Sequence, residues 1–245
     1  MQVLLLGDIT GKSRVGIRML THVLEEAGHE VLALPTALVS NMLNLGRDEK
    51  LDTTEYLLRT LDTWEKLNIE YERAYIGYVT GRCQAEILCG LADRMREKGI
   101  NVMVDPILGD GGTMYRSITQ EQAQGMKLLT AHADIVTPNL TEACLLAGLT
   151  YAPENGMQAL LKLAETGKQV VITSAKDEQG HDAVLCWDGQ QAFSVPFDRV
   201  PGEHGGTGDR FCALLMDALS AGRTLEAAVQ AASAGVARVL CEKNR

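Results

Sequence analysis

The chain has 245 residues, of which 46% are hydrophobic and only 4% aromatic, so it can bury a sizeable core of aliphatic side chains. A formal net charge of −9 at pH 7 argues against a protein that binds nucleic acid or a membrane surface through bulk charge. The six cysteines are scattered, with no C-x-x-C pair and no histidine at zinc spacing, which favours free thiols in a reducing compartment.

The N-terminal segment carries the first predicted strand. Val3 to Leu6 is a continuous apolar run that ends at Gly7-Asp8, a pattern typical of a strand buried on both faces. No basic residues precede this run, and it is too short for a signal sequence or a membrane span. We therefore expect a cytoplasmic protein with no membrane partner.

Short apolar runs alternate with amphipathic stretches along the rest of the chain. Further strands are predicted over residues 31–34, 74–79, 101–104, 135–136 and 169–173. Helices are predicted over residues 13–27, 84–98, 119–131, 142–147, 157–165, 207–221 and 225–240, and another is predicted to begin at Asp52. The runs 183–187 and 191–195 flank Asp188-Gly189 and predict an antiparallel hairpin. Residues 36–46 show no clean period, so we predict a loop there.

This order of elements predicts an α/β fold. Strands that alternate with helices of this length form βαβ units, which favours a mostly parallel central sheet flanked by helices, with the hairpin at an antiparallel edge. No repeat, low-complexity tract or clear linker interrupts the chain, so one domain over residues 1–245 is expected. Ligands of such sheets bind beyond the carboxyl ends of the strands, where the polar residues of this chain are concentrated.

A glycine-rich segment at the start of a predicted helix is the strongest candidate for chemistry. Residues 205–209 read Gly-Gly-Thr-Gly-Asp and lead into an apolar run. The N–H groups of a first helical turn have no acceptor within the helix, and together with the helix dipole they favour an anion such as phosphate. Asp209 would repel that anion, so its carboxylate suits a base for a hydroxyl that attacks the phosphate. The alternative is a glycine-rich turn with Asp209 as the helix cap.

Acidic and amide side chains follow two other predicted strands. Asn139 and Glu142 can project from one turn at the head of a helix, and their oxygens suit Mg²⁺ directly or through water. The alternative is helix capping by Thr141 or Asn139. Asp105 follows a strand and precedes a proline, so it is either a turn residue or part of a site for a cation or a magnesium nucleotide.

Four segments together resemble the pyridoxal/pyridoxamine kinase family of the ribokinase-like superfamily. Residues 104–115 look like the family's Asp-Pro-x-x-Gly-Asp-x-Gly-x-x-Tyr segment, and residues 137–143 look like its Pro-Asn-x-x-Glu segment. Residues 206–209, Gly-Thr-Gly-Asp, are similar to the anion hole and catalytic aspartate of the superfamily. Residues 34–40 resemble the substrate-side loop of bacterial members.

The resemblance implies a ribokinase-like three-layer sandwich, usually a homodimer, that transfers the γ-phosphate of MgATP to the 5′-hydroxymethyl group of a vitamin B6 vitamer. It implies that Asp209 is the base and contacts the substrate, and that Gly206, Thr207 and Gly208 form the anion hole. The residues implied on the nucleotide side are Asp105, Asn139, Glu142, Thr173 and Ser174, and those implied on the substrate side are Thr10, Thr36 and Ser40. Asn139 and Glu142 would also hold Mg²⁺, chiefly through water.

One departure from the family pattern bears on specificity. The stretch Ser40-Asn41-Met42-Leu43 places apolar residues where the family carries a histidine that contacts the substrate ring. A lost polar contact to a substrate can change selectivity strongly. Two alternatives therefore stay open: a kinase of another small alcohol, such as hydroxymethylpyrimidine or a sugar, and a non-catalytic homologue that binds the ligand.

Overall fold

The computed structural model of this chain describes residues 1–45, 47–200 and 205–243. The chain forms two compact units. Unit 1 comprises Met1–Leu108 and Tyr115–Asp134, and unit 2 comprises Gly109–Met114 and Ile135–Arg245. A single domain over residues 1–245 remains a prediction.

Unit 1 is built on a five-stranded sheet. Its strands are β1 (Gln2–Thr10), β2 (Glu30–Val39), β3 (Lys50–Asp52), β4 (Arg73–Ile76) and β5 (Asn101–Val104). Its helices are α1 (Ile17–Glu26), α2 (Thr54–Lys66), α3 (Arg82–Glu97) and α4 (Gln120–Thr130), with a short 3-10 helix at Leu43–Leu45. The strand order is β5-β4-β1-β2-β3, and every pair is parallel except β2 with β3.

The core of unit 1 forms around β1, because parallel strands pair with both of its edges. Residues 3–6 of β1 are completely buried, as a strand in the middle of a covered parallel sheet requires. Helix α1 packs on β1 and β2. A Cβ atom on Gly7 would lie 2.8 Å from Cγ2 of Ile17, so the glycine allows α1 to lie close against the strand.

Unit 2 contains a four-stranded sheet and a separate two-stranded hairpin. Its strands are β6 (Gly109–Asp110), β7 (Thr113–Met114), β8 (Ile135–Val136), β9 (Gln169–Lys176), β10 (Asp182–Trp187) and β11 (Ala192–Pro196). Its helices are α5 (Leu140–Ala147), α6 (Gly156–Ala164), α7 (Thr207–Ser220) and α8 (Leu225–Lys243), with a 3-10 turn at Pro153–Asn155. The order of the four strands is β11-β10-β9-β8. The pair β8–β9 is parallel and the other two pairs are antiparallel. Strands β6 and β7 pair with each other.

The predicted fold class is confirmed: the strands are mostly parallel within α/β units, and antiparallel strands lie at the edges. The hairpin predicted around Asp188-Gly189 is also confirmed, since β10 and β11 pair from Ala183↔Pro196 to Trp187↔Ala192. The hairpin turns tightly at Gly189, which has a φ of 102°, a value that favours glycine.

The loop predicted over residues 36–46 is wrong for its first four residues. Strand β2 continues to Val39 because β1 pairs with one edge of this segment, and β3 pairs with its other edge over residues 37–39. Pairing on both edges overrides the weak local pattern. The helix predicted to begin at Asp52 begins at Thr54 instead. Asp52 belongs to β3, and its Oδ1 accepts a hydrogen bond of 2.7 Å from the N–H of Thr54. Gly46 lies outside the described residues.

Among the residues that the structure describes, no helix has the combination of length and hydropathy that a membrane span requires.

Candidate active site

Helix α7 of unit 2 begins at the glycine-rich segment. Its N-cap is Gly206, with a left-handed backbone (φ 80°, ψ 15°) and no side-chain cap. The N–H of Arg210 donates to the carbonyl of Gly206 over 3.1 Å and closes the first turn. A Cβ atom on Gly208 would meet no atom of the described residues within 4 Å, so none of these residues packs against that side of the turn.

Asp209 lies in this first turn and is only 8% exposed. Because the cap position belongs to Gly206, the alternative that Asp209 is the helix cap is wrong. A carboxylate in the first turn interacts favourably with the helix dipole. The arrangement therefore holds an acid beside backbone N–H groups of the kind that bind phosphate.

The segment from Asn139 to Glu142 forms a capping box at the start of α5. The Oδ1 of Asn139 accepts from the N–H of Glu142 over 3.0 Å, and Oε2 of Glu142 accepts from the N–H of Asn139 over 2.8 Å. The capping alternative is thus confirmed. The predicted role of the same residues in holding Mg²⁺ stays a prediction.

The β6–β7 hairpin is fastened to the start of α5. The Nδ2 of Asn139 donates to the carbonyl of Gly109 over 2.8 Å, and the N–H of Gly109 lies 3.5 Å from Oε1 of Glu142. The N–H of Gly112 donates to Oγ1 of Thr141 over 2.9 Å. A Cβ on Gly109 would lie 2.2 Å from the carbonyl oxygen of Thr113. The hairpin can therefore close only around a glycine at this position.

Thr173 and Ser174 lie in an irregular part of β9. Thr173 forms a parallel bridge with Asn139, and its N–H donates to the carbonyl of Pro138 over 2.9 Å. Ser174 has a φ of 56°, in the region that favours glycine, and it lies where the pairing of β9 with β10 shifts register. Strained non-glycine backbone of this kind is often associated with functional sites.

Three charged side chains, those of Lys176, Asp182 and Arg199, form ion pairs near the end of β9. Oδ1 of Asp182 lies 2.9 Å from Nζ of Lys176 and 3.2 Å from Nη2 of Arg199. The hydrogen bonds from Arg199 and then from Lys176 lower the pKa of the Asp182 carboxyl below its usual value.

Unit 2 brings several of its predicted residues together. Asn139 contacts both Glu142 and Thr173 through the bonds described above. One turn after Asp209 in α7, the thiol of Cys212 donates to Oγ1 of Thr137 over 3.3 Å. The first turns of α7 therefore pack beside the segment that leads into Asn139.

In unit 1, Thr10 is hydrogen bonded to a carboxyl that the sequence did not single out. The hydroxyl of Thr10 donates to Oδ2 of Asp8 over 2.7 Å, and both residues are buried. Burial raises the pKa of Asp8 above its usual value, and the hydrogen bond from Thr10 offsets part of this rise.

The other two predicted substrate residues of unit 1 have partners of their own. The hydroxyl of Thr36 is fully buried and donates to the carbonyl of Tyr78 over 2.6 Å. Ser40 Oγ donates to Oδ1 of Asn41 over 2.7 Å and accepts from the N–H of Glu49 over 2.9 Å. In this structure both hydroxyls support the backbone around them, and their predicted contact with substrate stays untested.

The segments of Thr10 and Ser40 lie side by side at the end of the unit 1 sheet. The N–H groups of Gly11 and Lys12 donate to the carbonyls of Val39 and Ser40 over 2.8 and 3.1 Å. Thr10 and Ser40 therefore lie in adjacent segments, and their shared role at the substrate stays a prediction.

Asp105 follows β5 and is buried next to an aromatic ring. The hydroxyl of Tyr75 donates to Oδ2 of Asp105 over 3.0 Å, and the N–H of Asp105 donates to the carbonyl of Ile76 over 2.9 Å. A Cβ on Gly77 would lie 2.8 Å from the Tyr75 hydroxyl. Asp105 is thus fixed at the carboxyl ends of β4 and β5. Its predicted place near the phosphates stays a prediction.

Several residues that form hydrogen bonds in or next to the predicted segments of each unit were not among the predicted site residues: Asp8, Tyr75, Thr141 and Cys212. Asp8 carried the clearest available signal, because an acid that directly follows a fully apolar strand lies where α/β proteins bind ligands. The other three act through contacts between segments distant in sequence, which no local pattern reveals.

The sequence of this chain matches a family of small-molecule kinases. The model of the phosphomethylpyrimidine kinase family matches residues 68–244, and the chain belongs to this family. It is also 34% identical over 167 residues to a pyridoxine/pyridoxal/pyridoxamine kinase from Bordetella avium, an alignment that covers 64% of this chain and 56% of that enzyme.

Two further comparisons are with a pyrimidine kinase and with the structure of a pyridoxal kinase. A hydroxymethylpyrimidine/phosphomethylpyrimidine kinase from Haemophilus influenzae is 32% identical over 158 residues, which is 60% of this chain and 58% of that enzyme. The chain thus spans little more than half the length of these two relatives. The crystal structure of pyridoxal kinase from Lactobacillus plantarum superposes with a TM-score of 0.84 at 27% identity and covers all of this chain and 90% of that one. The resemblance to pyridoxal kinases and to their ribokinase-like fold is confirmed.

Proposed function

We propose that this chain is an ATP-dependent kinase that phosphorylates the 5′-hydroxymethyl group of a vitamin B6 vitamer. The observation that carries the proposal is the start of α7, where Asp209 is buried in the first turn after the left-handed Gly206. Membership of a kinase family and the likeness to enzymes named for vitamin B6 vitamers support it.

In the proposed reaction, Asp209 takes the proton of the substrate hydroxyl as that oxygen attacks the γ-phosphorus. The new O–P bond forms while the bond from the γ-phosphorus to the bridging oxygen of ATP breaks, which leaves ADP. The backbone N–H groups of Gly206, Thr207 and Gly208 stabilise the charge on the transferring phosphoryl group. Because these donors are part of a helix, little reorganisation is needed as the charge develops.

The donor set suits Mg²⁺ held through water. Among the described residues, no three His, Cys, Asp or Glu side chains form a cluster that could hold a metal ion. The oxygens of Asn139 and Glu142 already accept backbone N–H groups. A carboxylate has about four lone-pair sites, however, so Glu142 can also accept hydrogen bonds from the water of a hydrated ion. Mg²⁺ keeps several of its waters in such sites, and it would neutralise charge on the nucleotide phosphates.

A second candidate acceptor is a hydroxymethylpyrimidine. The name of the matching family and the Haemophilus influenzae relative support it. Met42, which stands where pyridoxal kinases carry a ring-contacting histidine, is compatible with a change of ring. A sugar kinase and a non-catalytic binding protein are the remaining alternatives.

A substrate panel tests the proposal. The purified protein is incubated with MgATP and, separately, pyridoxal, pyridoxamine, pyridoxine, hydroxymethylpyrimidine and ribose, while ADP release and the mass of the phosphate ester are followed. We expect ADP release that depends on a B6 vitamer, with one phosphate ester formed for each ADP. Turnover with the pyrimidine alone would establish the second candidate, and tight binding of vitamers without turnover would establish a non-catalytic homologue.

A homodimer and a cytoplasmic location are part of the same proposal, as is the lack of nucleic-acid and membrane partners. The family resemblance supports the dimer, and the composition of the chain supports the remaining points. Light scattering coupled to gel filtration would give the oligomeric state.

A further inference from the structure

Asp8 lies where β1 extends beyond the end of its neighbour β4 in the sheet of unit 1. The pairing of β1 with β4 ends at Leu6↔Ile76, whereas its pairing with β2 continues to Thr10↔Val39. Strand β1 therefore extends past the end of β4, and Asp8 lies in this extension. The carboxyl ends of parallel strands are where α/β proteins bind their ligands.

Asp8 and Thr10 project from the same face of β1, because side chains alternate along a strand. A side chain at Gly7 would point to the opposite face, where Ile17 of α1 packs against the strand. The hydrogen bond from the hydroxyl of Thr10 to Oδ2 of Asp8 orients the carboxyl. The two side chains thus form a fixed polar pair on the face of β1 opposite Gly7, next to Gly16, the residue that caps the start of α1.

The surroundings of Asp8 are unusual for an acid. Asp8 is only 5% exposed. Among the described residues, no lysine, arginine or histidine forms an ion pair with it. Gly16 lies so close that a Cβ there would be 2.8 Å from Oδ1 of Asp8. Burial without a cation raises the pKa of Asp8, so the ionised form is costly to the folded protein. An acid kept in such a place is a candidate for function.

The proposed reaction leaves a role for this acid. The substrate loop carries Met42 and Leu43 where the family's polar contact to the ring is expected, so recognition of a polar ring atom must come from elsewhere. Thr10, which the resemblance assigns to the substrate, is bonded directly to Asp8.

We propose that Asp8 determines the specificity of the acceptor site by sharing one proton with a ring nitrogen of a heteroaromatic alcohol. This inference rests on the proposed function. A protonated Asp8 donates to a neutral ring nitrogen, and an ionised Asp8 accepts from a protonated one. In either state a buried hydrogen bond of this kind discriminates strongly against a ring that lacks the nitrogen. Pyridines and pyrimidines satisfy it, and sugars do not.

The test compares two acceptors that differ at one ring atom. Pyridoxine and the benzyl alcohol in which C–H replaces its ring nitrogen are assayed with MgATP. The proteins are the wild type, Asp8→Ala, Asp8→Asn and, as a control, Asp134→Asn. Asp134 is an acid of unit 1 whose carboxyl accepts from the N–H of Val102 and from Arg96. It has no part in the proposed site.

The wild type is expected to prefer pyridoxine by roughly 100-fold or more in kcat/KM. In Asp8→Ala the preference should fall to within about 3-fold, mostly through the KM for pyridoxine, while the KM for ATP stays unchanged. Asp134→Asn should keep the wild-type preference. Asp8→Asn is included in case the alanine variant does not fold, because the asparagine oxygen can still accept the hydrogen bond from Thr10. Its amide N–H can still donate to a neutral ring nitrogen but cannot exchange a proton with it, so Asp8→Asn should keep more of the preference than Asp8→Ala does. The thermal midpoint of Asp8→Asn should not be lower, because a costly buried acid has been removed.

The outcomes separate this inference from the proposed function. If the wild type phosphorylates pyridoxine and folded Asp8 variants keep its preference, the role of Asp8 is overturned and the kinase stands. If loss of activity in Asp8→Asn comes with a lower midpoint and an unchanged preference, Asp8 is a structural residue and the inference is again overturned. If the wild type phosphorylates only a sugar, or no alcohol at all, the proposed function is overturned and the inference with it.

Discussion

The two units differ in how their predicted site residues are held. In unit 2, the residues assigned to the phosphates and the nucleotide lie at helix starts and at a strained strand position. In unit 1, the hydroxyls of Thr10, Thr36 and Ser40 are all bonded within the protein. The glycine-rich motif therefore predicted a feature of the backbone, the start of a helix, whereas the polar residue types of unit 1 did not predict the partners of their hydroxyls.

Asp8 differs from the capping residues of unit 2 in its effect on stability. The capping residues of unit 2 contribute to stability whether or not they bind a ligand, whereas the burial of Asp8 opposes stability. Two variants of equal chemistry should thus behave differently when one residue is held by its role in the fold and the other is not.

The largest contrast is expected between two capping boxes. Asn139 caps α5 in unit 2 and Thr119 caps α4 in unit 1, and each is paired with the third residue of its helix. Asn139→Ala and Thr119→Ala should each lower the free energy of unfolding by about 1 kcal/mol. Only Asn139→Ala should also lower kcat/KM by about 10–100-fold and raise the Mg²⁺ concentration needed for half-maximal rate. Denaturant unfolding and Mg²⁺ titrations of the rate measure both effects. Equal activity of the two variants would remove Asn139 from the site.

A second contrast uses two glycines of unit 2. Gly109→Ala would place a Cβ 2.2 Å from the carbonyl oxygen of Thr113, so we expect a loss of about 1–3 kcal/mol in the free energy of unfolding. The Cβ of Gly208→Ala would meet no atom of the described residues within 4 Å, so stability should be unchanged or slightly higher. Its methyl group would nevertheless hinder a phosphate, with a rise of about 10-fold in the KM for ATP, or about 1.4 kcal/mol. A Gly208→Ala enzyme with normal ATP kinetics would argue against an anion hole in this turn.

The smallest effects are expected from two acids whose pKa values shift in opposite directions. The pKa of Asp182 is lowered, so its ion pairs stabilise the fold above the unfolded pKa of about 3.8, and the contribution is lost as pH falls through the folded pKa. The pKa of Asp8 is raised, so the fold is favoured at low pH, and this advantage is lost as pH rises through the folded pKa.

At pH 7, Asp182→Asn should therefore lower the thermal midpoint slightly, by the equivalent of less than about 1 kcal/mol. Asp8→Asn should raise the midpoint or leave it unchanged. As pH falls, the difference for Asp8→Asn should shrink first, because the pKa of Asp8 is raised, and the difference for Asp182→Asn should shrink only at lower pH, because the pKa of Asp182 is lowered. Thermal unfolding between pH 3 and pH 7 measures this. A lower midpoint for Asp8→Asn at pH 7 would show that the carboxylate is stabilising.

The sequence was sufficient to predict the fold class, the hairpin at Asp188-Gly189 and the helix that begins at the glycine-rich segment, because each depends on local periodicity or turn chemistry. It failed for residues 36–39, where pairing with β1 and β3 decides the structure. It also failed to single out Asp8, because burial and the contact with Thr10 arise only in the folded chain.

Within the site, the glycine motif located the start of α7 correctly, and the spacing of Asn139 and Glu142 indicated one helical turn. The full burial of Thr36 was not foreseen. A threonine at the end of a strand has the same local pattern whether its hydroxyl is directed to a ligand or to a carbonyl such as that of Tyr78.

The most direct test of the central claim is the turnover of Asp209→Asn with MgATP and the best vitamer, together with its affinity for ATP measured by calorimetry. The amide has nearly the shape of the acid but cannot accept the proton. We expect kcat to fall by about 10²–10⁴-fold while ATP binds with nearly wild-type affinity. A variant with near wild-type kcat would contradict the assignment of Asp209 as the base and, with it, the proposed chemistry at the start of α7.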